Sequence, residues 1–120
     1  MKTPPPWSLA LLLLGSCSSS EAPGAGDADL ARGKSLFQSA GCTLCHGQNG
    51  EGGVAGPALQ GLAAHWDAER LAGFIADPSP FVKQDARLAQ QAAKYPLPMA
   101  AQTSLSEGDR LLLARYLLQR

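Results

Sequence analysis

The stretch Cys42-Thr43-Leu44-Cys45-His46 puts two thiols and an imidazole inside five residues, and glycine follows at 47, 50, 52 and 53. Thiols and imidazole this close together imply one common chemical partner, and the glycines let the backbone turn tightly beside it. The rest of the chain has little with which to build a core around that point. Beyond the N-terminal segment the only aromatic residues are Phe37, Trp66, Phe74, Phe81, Tyr95 and Tyr116, a thin supply for a chain of 120 residues. Something other than side chains is expected to fill the middle.

Three segments carry helical spacing, and none alternates as a strand does. Leu30, Gly33, Leu36, Phe37 and Ala40 recur at threes and fours and predict a helix ending at Gly41, whose apolar stripe runs into the cysteine motif. Asp67 reads as the N-cap of a second, with Trp66 outside it and Leu71 placed to form a hydrophobic staple; Leu71, Phe74 and Ile75 make the inner face, and Pro78 stops the helix near Asp77. Ser106 opens a third, capping the amide of Asp109 while that carboxylate reaches back, and the helix runs through Leu112, Leu113, Tyr116 and Leu117. Gln84 to Lys94 has good helix propensity but a weak apolar face. The expected class is all-α, with three main helices plus a possible short fourth.

The N-terminus reads as a targeting segment. Met1-Lys2 supplies a positive charge, Ser8 to Leu14 is apolar, and Leu14-Gly15-Ser16-Cys17 follows. That run falls short of the about 20 residues that a spanning helix needs. Small residues before a cysteine resemble the bacterial lipoprotein signal, in which the chain is cut before the cysteine and the cysteine is acylated. An ordinary secretory signal beside an incidental cysteine is the plainer alternative. The expected organisation is a signal peptide at 1–16, a lipidated tether at 17–27 anchored through Cys17, and one domain at 28–120. The protein is then exported to the periplasmic side of a bacterial membrane. Lysine plus arginine equals aspartate plus glutamate, at 10 each, so no broad basic surface exists for a nucleic acid.

Four chemistries use paired cysteines: structural zinc, dithiol redox exchange, a disulfide and covalent haem. Zinc wants four ligands, and beyond Cys42, Cys45 and His46 only His65 remains as a good donor in the domain. A thioredoxin-type dithiol belongs near a strand, whereas a helix precedes this one. Haem attachment needs two thiols, one per vinyl group, and an imidazole directly after the second to lie under the iron; Cys42, Cys45 and His46 have that spacing. The sixth position on iron then needs a donor. Met99 is the one methionine left once Met1 departs with the signal, and it lies in Tyr95-Pro96-Leu97-Pro98-Met99, where two prolines stiffen the loop. His65, Lys83 and Lys94 are its competitors.

With these parts in order, the chain resembles a class I, monohaem c-type cytochrome of the small bacterial kind over about Asp27 to Arg120. Gly33 and Phe37 resemble the G-x-x-x-[F/Y] of that family's first helix. Gly56-Pro57-Ala58-Leu59-Gln60-Gly61 resembles its G-P-x-L-x-G loop, Tyr95 to Met99 its methionine loop, and Leu113 to Leu118 its last helix. The resemblance implies a cytochrome c-like fold around one haem c, held by two thioethers. It implies that the first and last helices cross at Gly33, letting Tyr116 and Leu113 pack beside Phe37. It also implies that the Pro57 carbonyl accepts a hydrogen bond from His46, and that His46 and Met99 are the axial ligands. Two departures stand out: Ala100 follows Met99 where the family often has proline, and Ser79 to Lys94 is longer than the smallest members need, enough to cover a haem edge or meet a partner.

The function implied is outer-sphere electron transfer by a monomeric carrier between redox partner proteins, with the iron cycling while its ligands stay bound. No acid, base or nucleophile is required, and His65, Gln48 and Glu51 are expected to be structural or solvated. Two other functions use the same motif: a haem enzyme or ligand sensor with an open sixth site, and an electron-entry subunit of a larger oxidase or reductase complex.

Overall fold

The structure, a computed structural model, describes residues 2–3 and 25–120. Apart from 2–3, the expected signal at 1–16 lies outside the described residues, as do Cys17 and positions 17–24 of the expected tether. The described chain is helical, and among its residues there is no strand. In order the elements are α1 (Ala25–Ser39), α2 (Thr43–His46), a 3-10 turn (Leu62–Ala64), α3 (Ala68–Ala76), α4 (Pro78–Gln84), α5 (Ala86–Ala92) and α6 (Glu107–Leu117).

The first helix begins earlier than its apolar stripe. Residues 25–27, expected in the tether, form its opening turn, where the Asp27 carboxylate meets the positive end of the helix dipole. At its other end Gly41 takes φ 81°, the left-handed turn foreseen there. The caps of α3 and α6 form as the sequence indicates. Asp67 Oδ1 accepts from the Arg70 amide at 2.8 Å, and Ser106 Oγ accepts from the Asp109 amide at 3.1 Å. The reciprocal half of the second cap does not form: the Asp109 carboxylate turns to Arg32 of α1, at 3.6 Å. An ion pair that joins two helices has displaced a purely local bond.

Pro78 ends α3 as expected but also begins another helix. Asp77 has an extended backbone (φ −154°, ψ 99°); its amide closes α3 on the Gly73 carbonyl, and its carboxylate accepts from the Ser79 amide to open α4. Proline at the first helical position loses no hydrogen bond, because the first-turn amides lack partners within the helix. Asp85 repeats the device between α4 and α5, accepting from the Arg87 amide at 2.9 Å. The weak helix expected at 84–94 is α5, while α4, for which the sequence raised no expectation, is a further short helix that meets it at Asp85.

The core is small: Leu36, Phe37, Trp66, Leu71, Ile75, Leu88, Leu113, Ala114 and Leu117. The staple pair Trp66 and Leu71 lies within it. Trp66, Phe74 and Phe81 form a three-ring cluster with centroids 5.1 to 6.0 Å apart, which docks α4 on α3. The Arg70 guanidinium lies 4.7 Å from the Trp66 ring and 3.8 Å from Asp85, tying the start of α3 to the α4–α5 corner. Cys42, Leu59, Leu62, Phe74, Phe81, Met99 and Tyr116 pack against this core while staying partly exposed. So many half-covered apolar groups around so small a centre suit a fold completed by a large apolar body.

Helices α1 and α6 cross at Gly33. A Cβ added there would meet Tyr116 Cβ at 2.5 Å and the Leu112 carbonyl oxygen at 2.6 Å. The nearest neighbours are thus Tyr116 and the Leu112 backbone, and Leu113, beside them in the chain, is buried. Phe37 and Tyr116 pack one turn further along, with ring centroids 6.0 Å apart. Gly33→Ala is expected to lower stability by about 1–3 kcal/mol, because backbone cannot yield as a flexible side chain does. Urea unfolding checks this, and a midpoint equal to the wild type's would show that the helices have room to spare.

Candidate functional site

The motif sits on the shortest helix. Cys42 (φ −58°, ψ −32°) opens α2; the His46 amide bonds to the Cys42 carbonyl at 2.9 Å, and the Gly47 amide to the Thr43 carbonyl at 3.0 Å. One turn therefore carries Cys42, Cys45 and His46 at relative positions 0, 3 and 4, which share a side of a helix. Cys42 is half-buried, Cys45 is exposed, and neither is in a disulfide. Burial pushes the Cys42 thiol above its ordinary value, with a smaller push from Cys45. That is opposite to the depressed thiol of a dithiol redox site. Among the described residues no group of three or more His, Cys, Asp or Glu side chains is gathered to hold a metal ion, so the four-donor set of structural zinc is missing there.

His46 is buried, and its Nδ1 donates to the Pro57 carbonyl at 2.8 Å. A carbonyl can only accept, so Nδ1 carries the ring proton and Nε2 keeps its lone pair. Nε2 has no hydrogen-bond partner among the described residues, where every buried side-chain nitrogen and oxygen is satisfied; it therefore borders open space. A neutral imidazole with one nitrogen anchored and the other presented as a donor is the form in which histidine binds a metal.

The loop that brings Pro57 back to His46 depends on glycine. Gly52 (φ 81°) donates to the His46 carbonyl at 2.7 Å, and a Cβ there would lie 2.5 Å from the Ala58 amide nitrogen. A Cβ on Gly56 would lie 2.9 Å from the Cys45 carbonyl oxygen, so the segment before Pro57 rests directly on α2. The Leu59 amide closes the loop on the Gly50 carbonyl at 2.8 Å. Gln48 and Glu51 are exposed, as expected, but Glu51 is not idle. Its carboxylate folds over Gly47 and accepts from the Asn49 amide at 2.8 Å. Hydrogen bonds from the Glu51 and Asn49 amides hold its pKa below the usual carboxylate range, with Arg120 adding a smaller pull.

Met99 lies in the loop between α5 and α6, half-buried against the same core that Cys42 touches. That loop is anchored just downstream: the Gln102 amide donates to the Ile75 carbonyl at 3.0 Å, at the end of α3. Arg110 Nη1 donates to the carbonyls of Gln102, at 3.3 Å, and Leu105. The rival donors His65, Lys83 and Lys94 are all exposed. Reasoning from sequence overlooked Arg110 and Arg120, whose bonds go to backbone carbonyls: Arg110 to the segment just before α6, Arg120 to Asn49, 71 positions away. Their signal in the sequence amounts to a basic residue near each end of α6, which most surface helices have.

The Cytochrome c family model matches residues 30–120. No curated protein and no solved structure gave a match. The chain belongs to the cytochrome c family. It is accordingly a haem-based electron carrier whose cofactor is covalently bound haem c with its iron. The donor set fits that cofactor: two thiols and a lone-pair imidazole on one helical turn, beside half-covered apolar residues.

Glu51 gives this region a pH signature. Its folded acidity is stronger than its unfolded one, so its contribution is present above the unfolded carboxylate range and is lost as pH falls through the lower, folded value. Glu51→Gln is expected to flatten the acid limb of stability against pH, with the two proteins converging at low pH. Thermal melts between neutral and strongly acidic buffer test this, and parallel curves would count against it.

Proposed function

We propose that this protein is a class I, monohaem carrier of single electrons, tethered to the periplasmic face of a bacterial membrane. In this reading Cys42 and Cys45 hold the haem through two thioethers, and His46 and Met99 hold the iron. The observation that carries the reading is the bond from His46 Nδ1 to the Pro57 carbonyl, because it selects the one tautomer that leaves Nε2 free to bind metal.

The haem supplies a one-electron ferric–ferrous couple. The chain supplies what tunes it. Pro57, by accepting the Nδ1 proton, strengthens His46 as a donor and fixes the plane of its ring. Met99 offers a neutral thioether, which favours the ferrous state over the ferric more than a second imidazole does. Leu59, Leu62, Phe74 and Phe81, half-covered beside the core, offer the apolar surface that such a cofactor needs. The half-burial of Met99 against the core, set against the exposure of His65, Lys83 and Lys94, favours Met99 as the sixth ligand.

Export and lipidation rest on the apolar run before Leu14-Gly15-Ser16-Cys17. No helix among the described residues is long and apolar enough to cross a membrane, so attachment in this reading falls to an acylated Cys17. Replacement of Cys17 by serine is expected to move the protein from the detergent phase to the aqueous phase in a phase-partition assay. Retention in the detergent phase would leave the lipid without support.

The visible spectrum in both redox states tests the ligand set. A weak far-red band of sulfur-to-iron charge transfer is expected in the ferric form and should vanish in Met99→Ala. Its absence from the wild type would move the open-site enzyme or sensor ahead. Cys45→Ser should leave a single thioether, displacing the pyridine haemochrome band from its wild-type position. An unshifted band would exclude two-point attachment through this pair.

A further inference from the structure

Helix α6 ends in a place where two loops need holding. We propose that Arg110 and Arg120, near its two ends, are positioning residues that set one ligand loop each: Arg110 the loop of Met99, Arg120 the loop of His46. The assignment rests on the His46 and Met99 ligation proposed above.

Arg120 grips its loop on both sides of Pro57. Its Nη2 donates to the Asn49 carbonyl, and its own backbone carbonyl accepts from the Gly61 amide at 3.2 Å. The guanidinium is itself fixed: Nη1 donates to the Tyr116 hydroxyl at 2.9 Å, and the group lies 5.5 Å from the Tyr116 ring. It passes beside Gly50, where a Cβ would stand 3.9 Å from Nε. The segment that carries the Pro57 carbonyl is thus closed at residues 49 and 61 by a single residue. Inside that closure the Leu59 amide bonds to the Gly50 carbonyl at 2.8 Å, and on the outer side an open groove of about 710 Å³ lies among Leu30, Lys34, Gln60, Tyr116 and Arg120.

Arg110 does the same for the other loop. One nitrogen reaches two carbonyls, Gln102 and Leu105, and the Gln102 amide is bonded in turn to Ile75. Neither arginine is in a salt bridge among the described residues, so their donors serve the loops. A guanidinium suits the task, because its charged donors are fixed in a plane and reach separate acceptors at once. The helix that carries Arg110 and leads into Arg120 is anchored in the core: Leu113, Ala114 and Leu117 are 1%, 0% and 5% exposed. The two arginines thus join this buried helix to loops that the core itself covers only in part.

The test crosses two readouts in purified holoprotein. One is exchange of the His46 Nδ1 proton, followed by NMR in the ferrous state. The other is the rate at which added imidazole abolishes the far-red band of the ferric state. Arg120→Ala is expected to speed proton exchange by about tenfold and leave imidazole entry near its wild-type rate. Arg110→Ala should speed imidazole entry by a similar factor and leave the exchange unchanged. Asp67→Ala, which removes the α3 cap and touches neither arginine's bonds, should lower stability and move neither readout. Lysine at either position, a single donor in place of the fork, should restore part of the protection and serves as the measured variant where alanine prevents folding.

Variants that move both readouts together, or an Asp67→Ala that mimics them, would reduce the arginines to general stabilisers and overturn the proposal. So would wild-type values in both arginine variants. Failure of the ligand reading shows differently: the wild type itself would then lack the far-red band or a protected His46 proton.

Discussion

Everything near the site depends on how closely the backbones of α1 and α6 approach at Gly33. With Tyr116 Cβ and the Leu112 carbonyl both within 2.6 Å of where a side chain would begin, the two helices are set as near as backbones come. The contact fixes more than a pair of helices. α1 runs through Gly41 straight into the turn that holds Cys42, Cys45 and His46, while the ends of α6 carry the arginines that hold the two loops. One small residue in the first helix thereby places the motif on one side and the loop anchors on the other in a common frame.

Within that frame the chemistry is made by backbone as much as by side chains. A carbonyl of Pro57 selects the tautomer of His46, and carbonyls of Asn49, Gln102 and Leu105 are the handles by which α6 holds the loops. Such a design suits an electron carrier, because transfer without bond making is fastest when the donor groups barely move between oxidation states. It also explains the sparse core. Nine buried apolar residues leave many others half-covered, and covalent haem, a large flat apolar body, supplies the packing that the side chains do not.

Much of this was legible in the chain. Cap chemistry is local, so Asp67 and Ser106 announced the starts of α3 and α6, and helical periodicity picked out Leu36, Phe37, Leu71, Ile75 and Leu113 for the interior. The misreadings have local causes too. Pro78 reads as a stop, although a preceding aspartate turns such a proline into a helix start, so α4 goes unforeseen, whereas α5 falls inside the weak helix read at 84–94 and opens on the same device at Asp85. The Asp109 carboxylate left its own cap for Arg32, a partner 77 positions away that no local pattern shows.

The sequence alone determined the chemistry: the spacing of Cys42, Cys45 and His46 is covalent, and residues three and four apart on a helical turn face the same way wherever that turn sits. It also determined the class of fold, through stripes and caps that act within a few residues. Only the tertiary structure decided how the donors are oriented and held. The Pro57 carbonyl on His46, the covering of Met99 by the core and the hold of Arg120 on Asn49, 71 positions away, all join residues brought near each other by packing. Hydrogen bonds reach about 3 Å, so such pairings exist only once the chain has packed, and no short window of residues encodes them.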